Sequence, residues 1–385
     1  MLIIKNATVY TMEQDAPLLH ADILCQDKKI KAIGQDIDPQ DAQVIDGTDL
    51  YVTPGLIDAH THTGLNMTGA AAEQDANELT DPVTPQLDVI HSLDIHAPDF
   101  LALHREGVTS VCVIPGSGNV IGGQGIVVKT AGGATARELA VKDPAVIKCA
   151  MGGNPKSVYG PKSIMPATRM GVAAVLRDSL RRAKQYLEQK KSAGDDDAKQ
   201  PPFDAKLETL LPVIRREIPL KVHCEQHDMV TLIRIVKEFN VDYTIEHGWA
   251  CGLYEDELLA GGGTLCFGPI GIPEGYGECT GGDVAQVRSL DEKGLNVCLV
   301  TDYPLISDNV LLIHAGEAVR YGVPHQRALS MVTINAARGL KLEGRLGSIK
   351  EGKDADLVVW SAVPALDTSA KPLYTVIDGK IVYQK

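Results

Sequence analysis

The sequence predicts an α/β protein, a (β/α)8 TIM-like barrel with a small β-sandwich domain built from both termini. Three observations point to it. Both ends of the chain read as short strands and turns with no helical period. The middle alternates short apolar runs with helical stretches, the pattern of a parallel sheet under helical cover. Several of those runs close on histidine or aspartate, where a parallel barrel exposes its active face.

The N-terminal strands are read in order as Leu2-Ile-Ile, Ala7-Thr-Val-Tyr10, Ala21-Asp-Ile-Leu-Cys25, Ile30-Lys-Ala-Ile33, Val44-Ile45 and Leu50-Tyr-Val52. At the other end come Asp356-Leu-Val-Val-Trp360, Tyr374-Thr-Val-Ile377 and Lys380-Ile-Val-Tyr383. Asp378-Gly379 separates the last two runs and signals a tight hairpin. One β domain made of residues 1–53 and 344–385, with a barrel of residues 54–343 between them, accounts for both ends.

Within the barrel region, apolar runs end near His62, Ile114, Ala150, His223, His247, Phe267 and Asp302. Helical patterns lie between them, as over Met170 to Lys190 and Asp228 to Phe239. The charged, proline-bearing stretch Ser192 to Pro202 reads as a solvated loop extending a helix, not as a domain boundary. No internal repeat is apparent.

Composition narrows the function. Of 385 residues, 44% are hydrophobic and 23% charged, ordinary values for a globular chain with a large core. A net charge of -13 argues against nucleic acid or an anionic membrane as partner. A small-molecule substrate is expected instead, and a homo-oligomer is possible. The eight cysteines form no Cys-x-x-Cys pair and several sit in apolar runs, which suits buried reduced thiols. The N-terminus is too short and β-branched for a secretory signal, and no run of eighteen apolar residues exists. A cytoplasmic location is therefore expected.

The most informative stretch is Val52-Thr-Pro-Gly-Leu-Ile-Asp-Ala-His60-Thr-His62. Residues i and i+2 of a strand share a side, so His60 and His62 can converge where the strand gives out. Two neutral imidazoles on a rigid element suit a divalent metal such as zinc. His223, His247 and Asp302 each end a buried apolar run, so all five metal-competent residues share one topological position.

Other residues carry less. Gly116-Ser-Gly-Asn-Val-Ile-Gly-Gly-Gln-Gly125 lacks the Lys-Ser/Thr of a phosphate-binding loop. Placed after strand 2, its glycines are read as letting backbone approach a substrate, with Gln124 and Lys129 as candidate contacts. His227 is read as either a support for the metal ligands or solvent-facing. Glu246 should point away from His247 in a strand. His91, His96, His104, His314 and His325 are read as ordinary.

Pro54-Gly-Leu-Ile-Asp-Ala-His-Thr-His62 resembles the first-strand signature of the amidohydrolase superfamily of metal-dependent hydrolases. Gly347 to Trp360 and Ile377 to Val382 are similar to that superfamily's returning segment, and within it the chain looks nearest to the imidazolonepropionase-like amidohydrolases. The resemblance implies a metal set of His60 and His62 from strand 1, His223 from strand 5, His247 from strand 6 and Asp302 from strand 8. It implies hydrolysis of a C–N bond in a cyclic amide, amidine or N-acyl amino acid by a metal-activated water. Asp302 would act as general base and then acid, and His247 would position or stabilise the oxyanion. Deamination, dipeptide cleavage and a catalytically lapsed scaffold are the alternatives. Many relatives carry Gly-Glu-Asn-Pro-Lys after strand 4, where this chain has Gly152-Gly153-Asn154-Pro155-Lys156. The bridging carboxylate is thus missing at Gly153. One divalent metal, zinc, is expected, and two are possible if Lys148 is carboxylated. Lys148 itself is read as a core-edge lysine whose amine snorkels to solvent.

Overall fold

The computed structural model describes residues 1–66, 74–272, 280–307 and 310–385. Five strands open the chain: β1 Leu2–Val9, β2 Leu18–Gln26, β3 Lys29–Gly34, β4 Gln43–Asp46 and β5 Tyr51–Pro54. Eight more form the barrel: β6 Leu56–Thr61, β7 Val108–Val113, β8 Ile121–Lys129, β9 Ala140–Ala150, β10 Leu220–Cys224, β11 Tyr243–His247, β12 Thr264–Phe267 and β13 Val297–Leu299. Three close the chain: β14 Leu357–Trp360, β15 Pro372–Ile377 and β16 Lys380–Gln384.

The barrel strands pair with their chain neighbours from β6 to β13. The ring is drawn together by the residues after β13, where the Asp302 amide donates to the His60 carbonyl at 3.0 Å and Thr301 bonds the Asp58 carboxylate. Side chains of these strands sort into two clusters. Val111, Ile147, Val222, Ile245 and Leu265 pack with Leu176, Leu180, Leu232 and Val236 of the covering helices Arg169–Ala193 and Asp228–Phe239. Ile57, Cys112, Val146, Cys266 and Cys298 pack with Ala336, Ala337 and Leu340 of the closing helical turns. Burial on both faces explains why the strands read as continuous apolar runs.

β8 departs from a uniformly parallel ring. It pairs antiparallel with both β7 and β9. Its sequence includes Gly122, Gly123 and Gly125, so the second half of the glycine stretch placed after strand 2 is itself strand. A Cβ at Gly125 would meet Ile114 Cγ2 at 2.6 Å, which is why a side chain is not accommodated there. Reversal also carries Lys129 to the far end of the barrel. There its ammonium bonds Asp354 at 3.0 Å and Asp356, away from any ligand. Gln124 pairs with Ile147 within the sheet.

The terminal strands form one further eight-stranded sheet in the order β16-β15-β14-β5-β1-β2-β3, with β4 beside β1. The two chain ends meet where β14 pairs antiparallel with β5. Alternate residues of β14 serve two cores: Leu357 and Val359 join Ile4, Val9 and Val52, while Val358 and Trp360 join the outer barrel cluster. Asp378 and Gly379 take positive φ of 51° and 71° between β15 and β16, the hairpin anticipated from the sequence. The stretch 194–199 is exposed beyond the helix Arg169–Ala193, as expected. Seven cysteines are buried, and Cys279 lies outside the described residues. Among the described residues no helix is long and apolar enough to cross a membrane.

Candidate metal centre and substrate cavity

His60 and His62 stand at the end of β6, both buried. Each is oriented through its Nδ1. His60 Nδ1 lies 2.6 Å from Glu246 Oε2, and His62 Nδ1 lies 2.7 Å from the Ile114 carbonyl. Carboxylate and carbonyl oxygens only accept, so both rings donate from Nδ1 and keep a lone pair on Nε2. Both Nε2 atoms face Asp302 Oδ1, at 3.2 and 3.3 Å.

Asp302 and His247 occupy the left-handed region, with φ of 54° and 67°. Such a conformation is uncommon for non-glycine residues and concentrates at functional sites. Both lie where the chain leaves a strand, and the sharp turn swings their side chains over the barrel mouth. His247 Nδ1 lies 2.8 Å from the Gly268 carbonyl, so this ring also keeps its Nε2 lone pair. Its ring centre is 4.9 Å from that of His60 and 4.6 Å from that of His223. His223, inward-facing on β10, has a buried Nδ1 without a hydrogen-bond partner, and its Nε2 lies 3.3 Å from Asn154 Nδ2.

Below these ligands sit three fully buried charged side chains. Lys148 Nζ is 3.4 Å from His60 Nε2, and Lys221 Nζ is 2.8 Å from Glu246 Oε2. Lys148 therefore does not snorkel. β9 pairs in register with β10, and Lys148 faces Lys221 across that ladder, pointing into the barrel. Glu246 does point away from His247, as read from the sequence, but its destination is functional.

Burial and neighbouring charge tune these groups. Desolvation pushes Lys148 down to about 8 and His247 down to about 4. Desolvation, with the Lys148 charge, lowers His60, and desolvation holds His223 well below the usual imidazole range. Burial opposes ionisation of Asp302, yet the surrounding His247, His60 and His62 hold it well below the usual carboxylate range. The result is three neutral imidazoles facing one ionised carboxylate.

Donor atoms of His60, His62 and Asp302 all lie within 4.8 Å of one another. Neutral imidazole nitrogens of His60 and His62 and the Asp302 carboxylate make a donor set that fits a divalent cation. His223 and His247 stand beside that trio rather than within it. Above them opens a cavity of about 500 Å3 lined by His62, His223, His247, Asp302, Asn154 and Trp249, among others. Gly116 and Ser117 also line it, so the start of the glycine stretch does approach the site. His227 is exposed at the start of its helix.

Sequence reasoning placed Lys148 as a possible bridge but read its amine as snorkelling, read Glu246 only as pointing away from His247, and missed Lys221 and Trp249. A signal existed for Glu246 and Lys221. Both are charged residues inside runs otherwise apolar, and such residues must be paired.

Comparison with known proteins agrees with this geometry. A model described as the amidohydrolase family matches residues 176–382. Amidohydrolase tasK of Hapsidospora irregularis is 30% identical over 365 residues, covering 89% of this chain and 37% of that longer protein. The 5-methylthioadenosine/S-adenosylhomocysteine deaminase of Thermoanaerobacter pseudethanolicus is 24% identical over 93% of this chain and 84% of its own length. A crystal structure of an amidohydrolase from Thermotoga maritima MSB8 is 36% identical over the whole of both chains, with a TM-score of 0.94. By the extent of the family match and this full-length likeness, the chain belongs to the amidohydrolase family.

Proposed function

We propose that the chain is a metal-dependent hydrolase that cleaves a C–N bond, with Asp302 as general base. The observation that carries this reading is the approach of Asp302 Oδ1 to Nε2 of both His60 and His62 at the floor of an open cavity. When bound, a divalent cation, most simply zinc given these N and O donors, supplies a Lewis acid and a water acidic enough to react near neutral pH. Asp302 is held ionised, ready to take a proton from the attacking water and pass it to the leaving nitrogen. His247 is better suited to a ligand role than to donating a hydrogen bond to an oxyanion. Its ring proton is already committed to Gly268, and the imidazole stays neutral. The relative named as a deaminase also acts at a C–N bond, which supports the bond class without fixing the substrate.

The position of Lys148 favours two cations over one. Its amine is buried, lies against His60, and is partly neutral near pH 7. A neutral amine adds carbon dioxide to give a carbamate and a proton, and that carbamate would supply the shared anionic ligand that Gly153 cannot. Metal analysis after growth and purification with zinc and bicarbonate, joined to turnover of cyclic ureides, aminated heterocycles, N-acyl amino acids and dipeptides, tests the proposal. Stoichiometric metal with turnover of one class is expected. A chain that purifies without stoichiometric metal and turns over none of them is a scaffold instead.

A further inference from the structure

The glycine stretch that leads into β8 has no part in the reaction, yet it holds one side chain of the cavity wall in place. Gly116 N donates to the Ala76 carbonyl at 2.7 Å, and Gly118 N donates to Asn77 Oδ1 at 2.9 Å. Asn119 Nδ2 donates to the Glu78 carbonyl at 2.7 Å. Residues 76–78 are thus clipped along residues 116–119. The glycines leave the room this needs. A Cβ at Gly116 would lie 2.2 Å from Asn77 Nδ2, and one at Gly118 would lie 2.9 Å from Asn77 Oδ1.

That seat fixes which way the Asn77 amide faces. A backbone N–H only donates, so the atom that meets Gly118 is the oxygen, and Nδ2 keeps both its protons. Nδ2 lies beside Gly116, and Asn77 and Gly116 both line the metal cavity. Asn77 is exposed there, and no acceptor among the described residues takes a proton from Nδ2. Asn77 also lines a second cavity of about 330 Å3, so it stands where the two spaces meet. The wall therefore presents an oriented amide N–H2 to whatever fills the cavity.

Leu305 provides an independent observation. It lines the same cavity beside Pro304, yet it is 58% exposed. Its backbone N–H donates to the Asp302 carbonyl at 2.9 Å, which holds it close to the candidate base. A leucine fixed at a cavity mouth in this way is stabilised by covering apolar surface of a ligand.

We infer that Asn77 and Leu305 set the substrate preference of this cavity: Asn77 donates to a carbonyl or ring-nitrogen acceptor other than the group being cleaved, and Leu305 packs against an apolar substituent. The inference rests on the reading of this cavity as the substrate site of a C–N hydrolase and narrows it. Cyclic imides and ureides with an apolar side group satisfy both contacts, because they carry a second carbonyl at a fixed distance from the scissile bond. An amide with no further acceptor strips water from Nδ2 without replacing its hydrogen bond.

The test is calorimetric binding of three probes to the metal-loaded chain. 5-Benzyl-5-methylhydantoin has both features, and its quaternary carbon slows ring opening. 5,5-Dimethylhydantoin lacks the phenyl ring, and 4-benzyl-4-methylimidazolidin-2-one lacks the second carbonyl. Wild type should bind the benzyl hydantoin about tenfold or more tighter than either of the others. Asn77→Asp keeps an oxygen for Gly118 N and puts an acceptor where Nδ2 stood. It should weaken the benzyl hydantoin by about tenfold and change the imidazolidinone by less than about threefold, a split that a merely structural role for Asn77 would not produce. Leu305→Ser should bring the benzyl hydantoin close to the dimethyl one. The inference is overturned if the benzyl hydantoin fails to bind wild type or binds no more tightly than the imidazolidinone. It is equally overturned if Asn77→Asp leaves the ratio of those two unchanged, or if Leu305→Ser leaves the ratio of the two hydantoins unchanged. The wild-type comparison decides the preference even if a variant folds poorly. Metal content and turnover report separately on the underlying hydrolase reading.

Discussion

Glu246 Oε2 accepts a hydrogen bond of 2.6 Å from His60 Nδ1, and the same oxygen lies 2.8 Å from the ammonium of Lys221. All three side chains are fully buried, and 186 residues of sequence separate the acid from the imidazole. One carboxylate thus does two things. It fixes the His60 tautomer that leaves Nε2 open toward Asp302, and it balances a lysine that could not otherwise remain charged inside the barrel.

Glu246→Gln should therefore separate into two losses. Unpairing Lys221 is expected to destabilise the metal-free chain by about 3–5 kcal/mol. Loosening His60 is expected to weaken zinc affinity by about 10–100-fold. Adding Lys221→Met should restore much of the stability, measured by urea denaturation, but not the affinity, measured by chelator competition. Wild-type zinc affinity in the double variant would show that Glu246 does not orient His60.

His60→Ala and His62→Ala should each lose bound metal and activity while keeping the fold, because ligands at the barrel mouth are reached from above while stability is carried elsewhere. Circular dichroism and metal analysis check this together. Full metal occupancy in either variant removes that residue from the ligand set.

Asp302→Asn should lower kcat by several orders of magnitude with a much smaller change in KM, since the missing step is proton transfer in the transition state. Some metal should persist through weak coordination by the amide. A kcat near that of wild type would assign the base elsewhere.

Lys148→Ala should reduce bound zinc from about two ions per chain to about one or none. Reconstitution should also depend on pH and bicarbonate. With its amine pushed down to about 8, Lys148 is mostly protonated at pH 6.5 and mostly neutral at pH 9. Only the neutral amine takes up carbon dioxide, so uptake of the second ion should be roughly tenfold faster or more at the higher pH. A single ion per chain at pH 9 with bicarbonate, unchanged in Lys148→Ala, would restore the one-metal site.

Lys129 makes a test remote from the chemistry. It is buried between Asp354 and Asp356 and ties β8 to the segment leading into β14. Lys129→Met should cost about 3 kcal/mol in urea denaturation, because it leaves the buried Asp356 carboxyl without its cation. Unchanged stability would mean that Asp356 is already neutral when the chain folds.

Much of this architecture was legible in the sequence because the relevant signals are local. His60, His62, His223, His247 and Asp302 each end a buried apolar run, and Asp378-Gly379 fixes a turn by backbone preference alone. Lys148 was not legible, since a lysine two residues before a strand end reads the same whether it points outward or inward. Its direction is set by registration against β10. The partner of Glu246 was hidden because it lies across the barrel. The strand β8 was masked by its glycines, which weaken any strand pattern. Yet the seven residues between Val113 and Ile121 are too few for a crossover to a parallel neighbour, and that gap alone announces a reversal.

That reversal bears on how the ring assembles. β7, β8 and β9 follow one another as an antiparallel meander, so their ladders can form between neighbours in sequence with little loop-closure entropy. The opposite join, between β6 and the residues after β13, must bring Asp302 to His60 across most of the chain. The meander is thus the natural nucleus and the His60–Asp302 join the seam that shuts last. The candidate ligands straddle that seam, so a cation held there acts as a clasp between the first strand and the last. Pulsed hydrogen exchange should find β7–β9 protected before β6 and β13, and bound zinc should slow opening at the seam more than anywhere else in the barrel.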